Sequence, residues 1–181
     1  MKNIMFRSIL LIAIAMLTTG CSTAPKSQAK RDQLHNETMT AIETFKKEDP
    51  TMQSFFDEAK GYAIFPSVGK GGIGLGGAYG KGELFKDHVM VGHCDLSQAT
   101  IGFQLGGQVY SEAIFFQTDE ALERFKTGNY AFSAQVSAVA VTAGVSADAD
   151  YENGVAVFTI EKGGLMYEAS VGGQKFSYVP K

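Results

Sequence analysis

The sequence predicts an α+β domain: N-terminal helices, then a glycine-rich, mostly antiparallel, barrel-like β-sheet interrupted by one helix. Three observations carry this. After Gly61 the apolar period changes from that of a helix to that of a strand. The chain of 181 residues holds 21 glycines but only 4 prolines, which suits closely packed strands and tight turns more than disorder. The gaps between strand-like runs are short, which favours a meander of neighbouring strands. With 45% apolar residues, the chain suits one domain with a core of its own.

Residues 1–20 stand apart from that domain. Lys2 and Arg7 make a positive start, and residues 9–17, ILLIAIAML, form an apolar run too short to span a bilayer. LTTGC follows, with Gly20 directly before Cys21, as in a bacterial lipoprotein signal. In such signals the cysteine thiol is acylated and becomes the first residue. Thr18 stands where leucine is commoner, with Leu17 one place further out. Ser22, rather than an aspartate, favours a lipid-anchored place in the outer membrane facing the periplasm. The other reading is an ordinary secretory signal with a chance cysteine. Removing residues 1–20 leaves 14 basic against 19 acidic residues, a net charge of −5. That balance argues against nucleic acid and against nonspecific attraction to anionic lipid. With Cys21 acylated, Cys94 has no partner and is expected as a buried thiol.

Residues 21–29 are small, polar and charged, and read as a tether; residues 30–181 form the domain. From about Lys30, Leu34, Thr38, Ala41, Ile42 and Phe45 fall at helix spacing. Asp49 is expected to cap a second helix with Pro50 at its first position. Met52, Phe55, Phe56 and Ala59 share its face, and Gly61 is expected at its left-handed end. Strands are expected at YAIF (ending at Pro66), the glycine-rich run, GELF, HVMVGH and ATIGFQLGGQVY, with a turn at Lys86 and Asp87. AIFF lacks alternation, as a strand covered on both faces would. TDEALERFKTG reads as a helix with Ala121, Leu122 and Phe125 inward, Thr118 at its start and Gly128 at its end. SAQVSAVAVTAGV reads as a long strand, and Glu152-Asn153-Gly154 as a hairpin turn. VAVFTIE, LMYEASV and KFSYV close the sheet, with KGG and GGQ as turns between them.

Residues 69–82, GKGGIGLGGAYGKG, contain G-x-G-x-x-G at Gly72, Gly74 and Gly77. A phosphate cradle fails here. The GK pairs, Gly69-Lys70 and Gly80-Lys81, have Ile64 and Leu75 where a P-loop needs its first glycine, and glycine follows each lysine where Ser or Thr is needed. A dinucleotide fold needs a helix directly after the glycines, and so many glycines, each costing about 1 kcal/mol in a helix, forbid one. The alternative is a strand. Ile73, Leu75, Gly77 and Tyr79 alternate with Gly72, Gly74, Gly76, Ala78 and Gly80. One face is bulky; the bare one admits close approach of backbone, helix or a flat ligand.

Residues 59–85, AKGYAIFPSVGKGGIGLGGAYGKGELF, closely resemble the signature of the SYLF domain family. ATIGFQLGGQVYSEAIFFQTDEALERFKTG resembles that family's second block, and the closing glycine-rich hairpins match its layout. The resemblance covers roughly residues 50–178. It implies a lipid-binding domain. Eukaryotic members bind phosphoinositides, an endocytic branch binds actin, and bacterial members are commonly exported lipoproteins. The export signal and acidic charge of this chain argue against carrying actin binding over.

Lys60, Lys70, Lys81 and Lys86 lie in or beside the signature among Tyr62, Phe65, Tyr79 and Phe85. Lysines beside aromatics suit lipid headgroups at an interface; ordinary solvated lysines on a sheet rim are the other reading. The helix from about Lys30 could lie on a membrane or pack on its own domain. His88, His93, Cys94 and Asp95 match no zinc spacing. Asp148, Asp150 and Glu152 read as a solvated strand end, with weak Ca²⁺ binding as the other reading. No catalytic constellation emerges, so no enzyme and no cofactor is expected. The expected partner is membrane lipid, through the Cys21 acyl chain and a bound phospholipid or related amphiphile. The alternative is a structural or protein-interaction lipoprotein of the envelope with no lipid beyond its anchor.

Overall fold

The computed structural model describes residues 23–128, 131–132 and 139–181, with backbone alone at 102–104, 131–132 and 165–172. Cys21 lies outside the described residues.

Helix α1 spans Gln28–Glu48 and starts two residues before the expected point, because Ser27 caps it: its side chain accepts from the Lys30 N–H. Its buried residues are Leu34, Thr38, Ala41, Ile42 and Phe45, the expected stripe. Helix α2 spans Met52–Glu58, later than expected. Asp49 ends α1 instead, its N–H bonded to the Phe45 carbonyl. Its carboxylate then accepts from the Thr51 N–H at 3.0 Å, just ahead of α2. Gly61 does not take the left-handed position. Ala59 ends α2 in an extended conformation, and strand β1 begins at Gly61.

The main departure concerns the strands. The segments expected as separate strands are fused into three long ones: β1 (Gly61–Lys86), β2 (Val89–Phe116) and β5 (Val155–Pro180). Pro66 does not stop β1. It sits in a register shift between Phe65 and Val68, where a missing N–H is tolerated, and the Ser111 hydroxyl donates to its carbonyl at 2.8 Å. Two short pieces complete the sheet, β3 (Ala131–Phe132) and β4 (Val139–Ala140). The order is β1-β2-β5-β3, with β4 parallel on β5. Pairing leaves the sheet curled but not closed into a barrel. In SAQVSAVAVTAGV, residues 133–138 lie outside the described residues, and Val139–Ala140 is strand β4. The end of that run is no strand, since Val145–Asp148 forms a 3-10 turn.

Each long strand bends and runs through both layers of the folded sheet. In β1, residues 61–73 pair with 105–116 of β2, and residues 75–86 pair with 89–101. Gly74 sits at the break with φ of 72°, a conformation open to glycine at little steric cost. The turn expected at Lys86 and Asp87 falls one residue later, at Asp87-His88, both left-handed, as a two-residue hairpin requires. Asn153-Gly154 is also left-handed, with a single bridge between Glu152 and Val155.

Folding the sheet over makes two cores. Inside the fold, Phe65, Leu84, Leu96, Ile114, Phe116 and Phe176 pack with Leu122 and Phe125 of helix α3 (Asp119–Lys126). Phe65 and Phe176, from opposite layers, have ring centroids 5.8 Å apart. Outside, α1 and α2 cover Tyr62, Ile64, Ala113, Phe115 and Phe158. AIFF therefore divides its residues: Ala113 and Phe115 face the helices, Ile114 and Phe116 the inside. Helix α3 follows its expected design, with Thr118 accepting from Ala121 N–H, Ala121, Leu122 and Phe125 buried, and Gly128 left-handed beyond its end.

Candidate functional site

The bulky and bare faces of the glycine-rich run point opposite ways. Ala78, Gly80 and Gly82 face inward. A Cβ on Gly80 would lie 2.8 Å from Val68 Cγ2, and one on Gly82 would meet the Ile64 carbonyl oxygen. At Gly80 and Gly82 the bare face thus meets protein, namely the first half of β1 itself. The other face is exposed. Ile73 is 80% exposed and Leu75 69%, and across the ladder their partners Leu105 and Ile101 are 57% and 69% exposed. Four large aliphatic side chains therefore share the tip where the sheet turns over, the kind of exposed apolar patch that marks an interaction surface.

The residues expected at a lipid interface do not form one surface. Tyr62, Phe65 and Phe85 are core residues. Tyr62 and Phe85 stack on each other at 5.1 Å, and Phe65 faces the inside. Tyr79 and Lys81 do come together. Both contact Asp95 Oδ1 at 3.2 Å, and the Lys81 ammonium also donates to the Thr23 carbonyl at 3.0 Å. The tether therefore enters beside the second half of β1. Lys86 pairs with Asp119 at 2.8 Å near α3. Lys60 is exposed just ahead of β1, and Lys70 lines a cleft described below.

Periodicity gave no sign that Glu83 and Glu112 are buried. Glu83 is 1% exposed and lies against α1, where His35 Nδ1 is 2.9 Å from Glu83 Oε2. Burial raises the Glu83 carboxyl above its ordinary value, and the His35 contact opposes that rise. His93 is also buried, with Nδ1 4.0 Å from Glu83 Oε1. Desolvation, then the charges of Arg31, Lys81 and Lys181, lower the His93 value, so that contact is not a salt bridge. His88 lies in the turn after β1 and Cys94 in the inner core, apart from His93. Asp148 ends the 3-10 turn, and no strand carries Asp148, Asp150 and Glu152 together.

Glu112, on β2, is also buried. Gln174 donates to its Oε2 at 3.0 Å from the opposite layer, and among the described residues its Oε1 has no hydrogen-bond partner. Desolvation pushes its carboxyl up to about 7, against the smaller opposing effects of Gln174 and Lys70. It lines a cleft of about 620 Å³ that also takes in Glu48, Lys70, Tyr110, Glu161 and the β4 edge. Between pH 4.5, the ordinary value, and about 7, the native state keeps the proton and the unfolded chain loses it, so stability falls as pH rises. Glu112→Gln removes that cost. At pH 8 the variant is expected to be more stable than the parent by about 3 kcal/mol, and near pH 4 to match it. Urea unfolding at the two pH values measures the difference.

Comparison with known proteins places this geometry. The family model described as "Ysc84: Las17-binding protein actin regulator" matches residues 97–178. "Beta cell expansion factor A" of Aeromonas veronii is 28% identical over 163 residues, covering 84% of this chain and 59% of that protein. The chain thus spans 59% of the length of this curated relative. The family match takes in most of β2, helix α3 and nearly all of β5, and so Ile101 and Leu105 of the tip and Glu112 and Glu161 of the cleft. Residues 97–178 match the Ysc84 family model, which describes the SYLF domain family that the sequence motifs resemble.

Proposed function

We propose that this chain is a non-enzymatic envelope lipoprotein, acylated at Cys21, whose SYLF domain binds phospholipid at the outer membrane. The exposed aliphatic tip carries the reading. Ile73, Leu75, Ile101 and Leu105 sit side by side where the sheet folds over, far more exposed than a core requires. Burying an aliphatic side chain of this size in an acyl layer is worth about 1.5–3 kcal/mol, so a few of them suffice for reversible docking. The Lys81 contact with Thr23 starts the tether on β1, the strand that carries half of the tip. The anchor and the tip would then act on one bilayer. Among the described residues no helix is long and apolar enough to cross a membrane.

Vesicle flotation tests this. The Cys21→Ser chain, freed of residues 1–20 and so without its apolar signal and its acyl group, is mixed with vesicles of phosphatidylethanolamine and phosphatidylglycerol. It is expected to float with them. Adding Leu75→Ser and Ile101→Ser is expected to weaken binding at least about tenfold, with an unchanged melting temperature because both side chains are exposed. Failure of the Cys21→Ser chain to float would remove the phospholipid reading and leave a protein partner for the tip. An acyl-bearing peptide still present when Cys21→Ser is made with residues 1–20 in place would remove the anchor assignment.

A further inference from the structure

The cleft beside β4 has chemistry that the apolar tip does not use. Glu112 reaches it from β2, Glu161 from β5, Glu48 from α1 and Lys70 from β1. Carboxylates outnumber the basic group, so the lining favours a cation. Glu161 Oε1 is already engaged by Gln108 Nε2 at 2.6 Å. Glu112 is different. It is 1% exposed, one oxygen is held by Gln174, and Oε1 has no donor among the described residues. An acceptor left buried without a donor is costly, and a ligand that brings an N–H there recovers that cost. The cleft, at about 620 Å³, has room for a small amine carrying a further group.

We propose that this cleft is a binding site for a primary ammonium group, which donates one N–H to Glu112 Oε1. A quaternary ammonium has charge but no N–H and cannot satisfy that oxygen. A neutral hydroxyl can donate but gains nothing from the surplus of carboxylates. The carboxyl of Glu112, raised by burial, also gives the site a pH dependence. The charged groups facing it are Lys70, Glu48 and Glu161. A bound ammonium stabilises the ionised form of Glu112, so binding tightens as pH rises through neutrality while the amine stays protonated. The same chemistry is offered by a free amine and by an aminophospholipid headgroup. The inference therefore stands whether or not the tip binds membrane.

Calorimetric titration of the full chain separates these cases. The soluble probes are ethanolamine, O-phosphoethanolamine, choline and ethylene glycol. The lipid probes are phosphatidylcholine vesicles with and without phosphatidylethanolamine. Ethanolamine or its phosphate is expected to bind at least about tenfold more tightly than choline and ethylene glycol, one pK unit being tenfold. Glu112→Gln, which keeps shape and volume, is expected to abolish that preference. The ¹³C carboxyl shift of Glu112 is expected to report a lower pKa in the bound state. Preference for soluble amines alone supports the site and names a free amine as its ligand; preference only for vesicles with phosphatidylethanolamine supports it and names the lipid headgroup. Equal binding of ethanolamine and ethylene glycol, no saturable binding of any ammonium probe, or a preference that survives Glu112→Gln overturns it. The comparison among probes on the parent chain decides the matter even if the variant folds poorly.

Discussion

Gly82→Ala is expected to cost about 3 kcal/mol or more of folding stability. The added Cβ would meet the Ile64 carbonyl oxygen and lie 2.8 Å from Phe65 Cδ1. One obstacle is backbone and the other is a ring buried between the layers, so neither can move aside. Domains of this size have about 5–15 kcal/mol in total, and a loss of 3 is a large share. Gly69→Ala is the control. It is in the same run, yet a Cβ there meets nothing within 4 Å, so its effect should stay within about 0.5 kcal/mol. Urea midpoints for the two variants make the comparison. Equal midpoints would show that the halves of β1 do not approach each other as described.

Asp49→Ala is expected to destabilise by a similar amount, about 3–4 kcal/mol. The Asp49 carboxylate is fully buried and ties the α1–α2 junction to the 3-10 turn 97 residues later. Oδ2 accepts from the Ser146 N–H at 2.8 Å and its hydroxyl at 2.6 Å. Oδ1 accepts from the Thr51 N–H at 3.0 Å and its hydroxyl at 2.7 Å. Burial alone would raise this carboxyl. The bonds from Ser146 and Thr51 overcome it and hold the group well below its ordinary value of 3.8. The folded value being depressed, the stabilisation is present above about pH 4 and is lost as pH falls further. The gap between parent and variant should therefore narrow in acid. A gap that stays constant down to pH 2 would mean that the ionised form is not what Ser146 and Thr51 recognise.

Local patterns were legible wherever one element decides its own packing. The α1 stripe from Leu34 to Phe45, the Thr118 cap and the two-faced AIFF all follow from spacing alone. What spacing does not encode is which element lies opposite. Asp49 looks like a helix cap because its partner Thr51 is local, but Ser146 is not. Glu83 and Glu112 look like solvated strand residues because His35 and Gln174 are distant in the chain. Glycine misled in one direction. KGG and GGQ read as ends of strands, yet β5 passes through both. Left-handed glycines at Gly163 and Gly164 lie inside it, and a strand can bend there while its ladder to β2 continues. The exposed tip was visible only as an alternation. Which face was buried depended on the first half of β1 folding back onto the second.

That folding back fixes where the chain can be re-spliced. In most two-layered domains a loop carries the chain from one layer to the other, and new termini or inserted domains are tolerated there. Here three strands make that passage as paired backbone, and a cut at Gly74 would sever the ladder on both sides. The permissive joints lie at the far end, at Asp87-His88 and Asn153-Gly154. A circular permutant opened at either turn keeps every long strand whole, and a reporter domain grafted there leaves the tip untouched.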